Sequence, residues 1–226
     1  MSEYLFSLVI PREDLGWSQV EKFTRLDAYG QHQAVWQLFD LPPDAVRTGT
    51  AFLFRHERQG DLPAFYILSP NIPQDRAGLW NIQSKPYTPQ LETGDRLHFK
   101  LRVNPVVTRN GKRHDVVMDA KHRLHWKELC FEERPPLNTL AYEAGTAWLV
   151  GRAEKHGFAV APSNLLVDGY RTHTVHRRGH TPICFSTLDV SGVLTVADPG
   201  KFLSTLYSGI GPAKGFGCGL LLVKRV

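Results

Sequence analysis

Two groups of residues in this chain have types and spacing suited to chemistry. The first is the run Asp27-Ala-Tyr-Gly-Gln-His-Gln-Ala-Val-Trp36. Tyr29 and His32 are three apart, which on a helix makes their side chains neighbours. An imidazole, with an ordinary pKa near ~6.5, takes up or gives a proton at neutral pH. A phenol beside it donates to an anion or orients a hydroxyl. Cleavage of a ribose-phosphate backbone without a metal needs little more: a base for the 2′-hydroxyl, an acid for the leaving 5′-oxygen, and donors for the charge on phosphorus. The same spacing also suits a histidine packed at the edge of an apolar stripe, so position alone leaves both roles open.

The second group is Gly209-Ile-Gly-Pro-Ala-Lys-Gly-Phe-Gly-Cys-Gly219, with five glycines in eleven residues. Gly209, Gly211, Gly215 and Gly217 allow close backbone approach, and successive N–H groups can then face a phosphate. Lys214 adds positive charge. The order of elements excludes two nucleotide-binding readings. A Walker A loop continues into a helix through GK[ST], and a GxGxxG motif opens a helix after a strand, whereas this run follows a helix and precedes a strand. Lys214-Gly-Phe-Gly217 matches the start of an RNP1 motif. Cys218 and Gly219 then break the pattern, and the chain ends at Val226, too soon for the helix and strand that must follow.

Charge is distributed unevenly. The 27 lysines and arginines exceed the 22 acids, for a net +5 and a pI near 9.2. Between Lys100 and Lys127 only Asp115 and Asp119 oppose the basic residues. The cluster from Arg171 to His180 contains no acid. Arg102, Asn104, Lys112, Arg113, Lys121, Arg171, Arg177 and Arg178 are the candidates for holding a folded RNA stem. The tracts His122/His125 and His173/His176/His180 complete no familiar ligand motif, so no metal and no cofactor is expected. Cys130, Cys184 and Cys218 form no CxxC pair, and an odd count fits a reducing cytoplasm. No apolar run approaches the ~20 residues of a membrane helix, and Met1 to Pro11 reads as a first strand and not as a signal peptide.

These groups need elements to position them. Tyr4–Ile10 is apolar and β-prone and reads as a strand. Asp27 caps a helix over Ala28–Phe39, with Ala28, His32, Val35 and Phe39 on one stripe and Pro42–Pro43 as its stop. Ala51–Arg58 and Ala64–Leu68 read as strands around Gly60. Asn71–Gly78 reads as a turn or a short helix, and Lys85–Leu91 as a closing strand. The second half repeats the order. It has a strand over Arg96–Pro105, a hairpin turn at Asn110–Gly111, and a helix over Leu137–His156 ended by Gly157. Strands Leu165–Val175 and Ile183–Val196 follow, the latter bent at Gly192. Asp198–Tyr207 is a helix, and Leu220–Val226 is the last strand. The pattern is α+β: two tandem ferredoxin-like βαββαβ domains, residues 1–92 and 93–226, the length suiting two units of roughly a hundred residues.

Asp27-Ala-Tyr-Gly-Gln-His-Gln-Ala-Val-Trp-Gln-Leu-Phe39, Phe99-Lys-Leu-Arg-Val-Asn-Pro105 and Gly209 to Leu220 resemble, in order and spacing, the CasE type of CRISPR repeat endoribonuclease. The resemblance implies an enzyme that cuts repeat stem-loops without a metal, leaves a 2′,3′-cyclic phosphate, and stays on the hairpin as a Cascade subunit. It implies that His32 is catalytic, that Tyr29 assists, and that the loop 209–219 supports site and RNA. Related repeat nucleases add a catalytic lysine after the histidine. No lysine lies between His32 and Lys85, so Lys214 is assigned that part. The alternative is a non-catalytic RNA-binding subunit of a ribonucleoprotein.

Overall fold

The computed structural model of the chain describes residues 3–40, 51–60, 62–176, 179 and 181–226. The Pro42–Pro43 stop and the candidates Arg177 and Arg178 lie outside the described residues.

The first half is built on β1 (Leu5–Pro11), β2 (Leu53–Gln59), β3 (Leu62–Ser69) and β4 (Trp80–Pro86). Their order across the antiparallel sheet is β2-β3-β1-β4. Two helices precede β2: α1 (Trp17–Thr24) and α2 (Ala28–Trp36). Asp27 does cap α2, its carboxylate accepting from the Gly30 N–H at 2.7 Å. The helix ends three residues before the expected Phe39. Leu38 and Phe39 instead donate to the carbonyls of Val35 and Trp36, at 3.1 Å each, so the chain closes in tightened turns. α1 was not expected; it buries only Val20, too thin a stripe to read from sequence.

Over 71–78 the turn alternative holds and no helix forms, because the Asp75 carboxylate gathers the N–H groups of Ala77, Leu79 and Trp80 at 2.9–3.3 Å and fixes a loop. The closing strand lies earlier than Lys85–Leu91, since Pro86 and Pro89 lack the N–H a ladder needs.

The second half is built on β5 (Arg96–Val103), β9 (Leu165–Val175), β10 (Ile183–Val196) and β11 (Leu221–Arg225), with order β11-β5-β10 and β9 on the other edge of β10. This repeats the first half's strand order. Its crossover helices are α4 (Leu137–Ala153) and α5 (Pro199–Ser208), and a two-residue strand, β8 (Phe158–Ala159), joins the end of β10. At Gly192 the strand passes against the Asn164 carbonyl, closer than any Cβ would permit. Between β5 and α4 stands a hairpin of β6 (Val106–Arg109) and β7 (Lys112–Asp115). Asn110 and Gly111 both have positive φ, 50° and 73°, the two-residue turn expected there. Asp115 then caps α3 (Val116–Arg123), a helix not foreseen from sequence.

Each half has its own core, around Phe54, Phe65 and Ile67 in the first and around Leu101, Leu149, Leu188 and Phe202 in the second. A smaller cluster of Leu53, Leu68 and Leu220 joins them, with Tyr4 stacked on Tyr207 at 4.5 Å. Beside it lies a polar joint. Arg55 of β2, only 4% exposed, donates to Asp189 of β10 at 2.9 Å and pairs with Glu57. Arg102 of β5 closes on the same carboxylate through Nε and Nη2, at 3.1 and 2.9 Å, and gives Nη1 to the His56 carbonyl at 3.1 Å. One aspartate thus links both halves.

Candidate active site

α2 carries His32 to the seam between the halves. There the loop before β11 meets it: a Cβ on Gly215 would stand 3.7 Å from His32 Nδ1. Tyr29, one turn earlier, lies ring to ring with His32 at 6.5 Å, and Trp36 and Phe52 flank the imidazole at 5.7 and 6.4 Å. Phe216 of the loop approaches at 6.3 Å. Nδ1 is buried and lacks a hydrogen-bond partner among the described residues. Burial pushes the His32 pKa below its ordinary 6.5, the Gly215 main chain acting more weakly the other way. At neutral pH the imidazole is therefore uncharged and able to accept a proton.

The Gly-rich loop is bonded mostly to itself and to β5. Ile210 N–H donates to the Gly219 carbonyl, Gly219 N–H to the Arg102 carbonyl, and Phe216, Gly217 and Cys218 N–H groups to Ala213 and Lys214 carbonyls, over 2.8–3.4 Å. The expectation of a run of free amides therefore narrows to Lys214 and Gly215, whose N–H groups meet no backbone acceptor among the described residues. The glycines divide accordingly. Gly209 has no room for a side chain, since a Cβ would come within 2.9 Å of the Gly219 carbonyl; Gly211 lies against Trp148, and Gly217, at φ 78°, against Phe54. These three shape the loop by packing on protein. Gly215 alone is exposed on the His32 side. Burial pushes the Cys218 thiol up to about 12, so it serves only as packing.

Lys214 is half-buried, which lowers its pKa. Its stem passes Gly219, and its charge is felt at His156, which is bonded to Thr205 of α5. The loop thus brings its glycine to His32 and turns its lysine toward α5.

The basic candidates separate in the same way. Lys112 and Arg113 are exposed on the β6–β7 hairpin, and Arg171 is exposed on β9. Lys121 stands over the Trp126 ring at 4.0 Å. Arg102 is committed to Asp189 and is a joint between halves, not a free phosphate ligand. Asn104 is buried beside the loop, its Oδ1 without a partner among the described residues.

A cleft of about 690 Å³ opens at this seam, and another of about 540 Å³ is lined by second-half residues alone. Phe216 and His173 line both. Their rings belong to one stack: His173 on Phe185 at 4.9 Å, and Phe185 on Phe216 at 4.9 Å. Sequence reasoning missed Phe185, Phe216, His56 and Asp189 as parts of the site. No local spacing marks them, because their neighbours lie far along the chain.

Comparison with known proteins decides the family. Residues 4–225 match the model described as CRISPR associated protein. The chain is 31% identical over 229 residues to the CRISPR system Cascade subunit CasE of Escherichia coli K12, covering 96% of this chain and 97% of that protein. The chain belongs to the CasE family of CRISPR-associated proteins. Another CasE relative, the CRISPR-associated endoribonuclease Cse3 of Thermus thermophilus, is 30% identical over 152 residues, 62% of this chain and 60% of the relative. Thermus thermophilus Cse3 bound to an RNA representing a pre-cleavage complex matches with a TM-score of 0.72 at 23% identity, over 99% of this chain and 100% of that one. The CRISPR-associated protein Cas6e from Escherichia coli gives 0.53 at 22%, over 99% and 100%. These likenesses establish the CasE fold, two ferredoxin-like halves in tandem.

Proposed function

We propose that this chain is a CRISPR RNA-processing endoribonuclease: it cuts precursor transcripts at the repeat stem-loop and stays on the product hairpin within Cascade, in the cytoplasm. The observation that carries the reading is His32, its Nδ1 buried, packed against Gly215 of the Gly-rich loop at the seam between the halves. Its CasE and Cse3 relatives, one of them named an endoribonuclease, support it.

Nδ1 faces the loop, so Nε2 is the nitrogen offered to substrate. As a neutral base it takes the proton of the ribose 2′-hydroxyl. The 2′-oxygen attacks the adjacent phosphorus, the P–O5′ bond breaks, and the imidazolium returns the proton to the leaving 5′-oxygen. Tyr29 orients the hydroxyl or donates to the phosphate. The amides of Lys214 and Gly215 face the non-bridging oxygens, while the Lys214 ammonium, turned toward α5, moves no proton. The products are a 2′,3′-cyclic phosphate and a 5′-hydroxyl. Alignment of the 2′-oxygen with the leaving oxygen supplies much of the acceleration, and proton transfer adds ~10²–10⁴-fold. Lys112, Arg113 and Lys121, with Arg177 and Arg178, hold the stem. The boundary at residues 92 and 93 separates the half that brings His32 from the half that brings the loop.

Incubation with an end-labelled repeat hairpin in chelator tests the reading. It predicts cutting and a cyclic phosphate end. Tight binding without cutting would leave a non-catalytic RNA-binding subunit, and cutting that chelator abolishes would make the reaction metal-dependent.

A further inference from the structure

The larger cleft holds groups that the cutting reaction does not use. One wall is α2 and β2 of the first half, and the other is β9 and β10 of the second. At about 690 Å³ it falls within the ~300–1,000 Å³ usual for specific ligand sites. It adjoins the reaction centre, since Ala28 and Gln31 of α2 line it, as does Phe216.

Its charges do not cancel once commitments are counted. Glu57 and Asp189 are balanced by Arg55 and Arg102, and Asp27, which caps α2, opposes the two arginines that remain with a single charge. Arg58 on β2 and Arg171 on β9 are exposed and make no ion pair among the described residues. One stands on each wall, so the cleft attracts an anion along its length. On the β9 wall, two residues from Arg171, His173 ends the ring stack formed with Phe185 and Phe216. Its Nε2 is bonded to Thr187 at 2.9 Å, which fixes the ring. Burial, then Arg102 and Arg171, lower its pKa, so the ring is neutral near pH 7. A fixed aromatic ring in a cleft with an unpaired guanidinium on each wall is the chemistry that holds an unpaired base with its phosphates.

We infer that this cleft is a subsite for single-stranded RNA flanking the hairpin, with His173 stacking one unpaired base while Arg58 and Arg171 hold the neighbouring phosphates. The inference rests on the function proposed above. It adds a specificity element: the protein would select hairpins that emerge from a longer transcript over bare stem-loops.

The test uses repeat hairpins made uncleavable by a 2′-deoxy nucleotide at the cut, either bare or with a three-nucleotide unpaired flank on one side. The full chain should bind at least one flanked form roughly tenfold tighter than the bare one, the scale of one stacked base. In His173→Leu and in Arg58→Ala that advantage should shrink to under about twofold. Arg58 is exposed, so its removal spares the core if the His173 variant folds poorly. No gain from either flank, or an undiminished gain in Arg58→Ala, overturns the subsite. Failure to bind even the bare hairpin overturns the function reading itself, a result separate from bare and flanked forms binding equally well.

Discussion

The two halves share a strand order and divide the labour. The first is the sparser: among its described residues no helix joins β3 to β4, and its helix α2 brings the residues suited to proton transfer, Tyr29 and His32. The second has both crossover helices, a larger core and nearly all the basic candidates. It contributes backbone and charge: the Gly-rich loop, the β6–β7 hairpin and the arginines of β9. The contrast teaches that a duplicated topology need not duplicate a site. One copy supplies the imidazole proposed to react, the other a shaped surface, and the two meet where α2 and β2 pack on the loop.

The joint is therefore where the comparison breaks most readily. Asp189→Ala leaves Arg55 and Arg102 facing each other in a buried place, and unfolding should become easier by about 3–5 kcal/mol in denaturant titration. A loss under about 1 kcal/mol would mean that the halves are held by the Leu53–Leu68–Leu220 cluster alone. Next in size is the loop. Gly217→Ala places a Cβ at positive φ and 3.3 Å from the Phe54 ring, at a cost of roughly 1–2 kcal/mol, and should also slow cutting. Gly215→Ala meets only the imidazole, at 3.7 Å, and should slow cutting with little change in melting temperature.

Acidity sharpens the same contrast. His32 as a neutral base predicts that single-turnover cutting rises with pH, through a midpoint below 6.5, and then levels. A rate that falls as pH rises through that range would make His32 the acid. Stability has a parallel limb. Burial, reinforced by Arg102, lowers the His56 pKa to about 4, so the unfolded chain binds its proton first. Stability should drop as pH falls from about 6.5 toward 4, and His56→Phe should flatten that drop, as measured by melting at each pH. The smallest effect belongs to the hairpin. Lys112→Ala with Arg113→Ala should weaken RNA binding, with the slope of log K against log salt shallower by about 0.7–0.9 per lost phosphate contact.

Much of this was legible from sequence, and for local reasons. The β9 and β10 limits, the Asn110–Gly111 turn and the Asp27 cap all follow from neighbours along the chain. α1 and α3 were missed because eight residues carry too little periodicity to outweigh their polar composition. Within the site, Tyr29 and His32 announce themselves by helical spacing, and the loop by its glycines. The Arg55–Asp189–Arg102 joint and the His173–Phe185–Phe216 stack do not, because their partners are separated by up to 134 positions and meet only through tertiary packing. Arg102 misled for the same reason: in sequence it is one more basic residue on a basic strand face, and only Asp189 shows its charge to be spent.

One measurement bears most directly on the meeting of His32 with the loop: hairpin binding and single-turnover cutting by His32→Ala beside the unaltered protein. The account predicts affinity within about twofold and cutting slower by ~10²–10⁴-fold. Cutting at the parent rate by His32→Ala would contradict it.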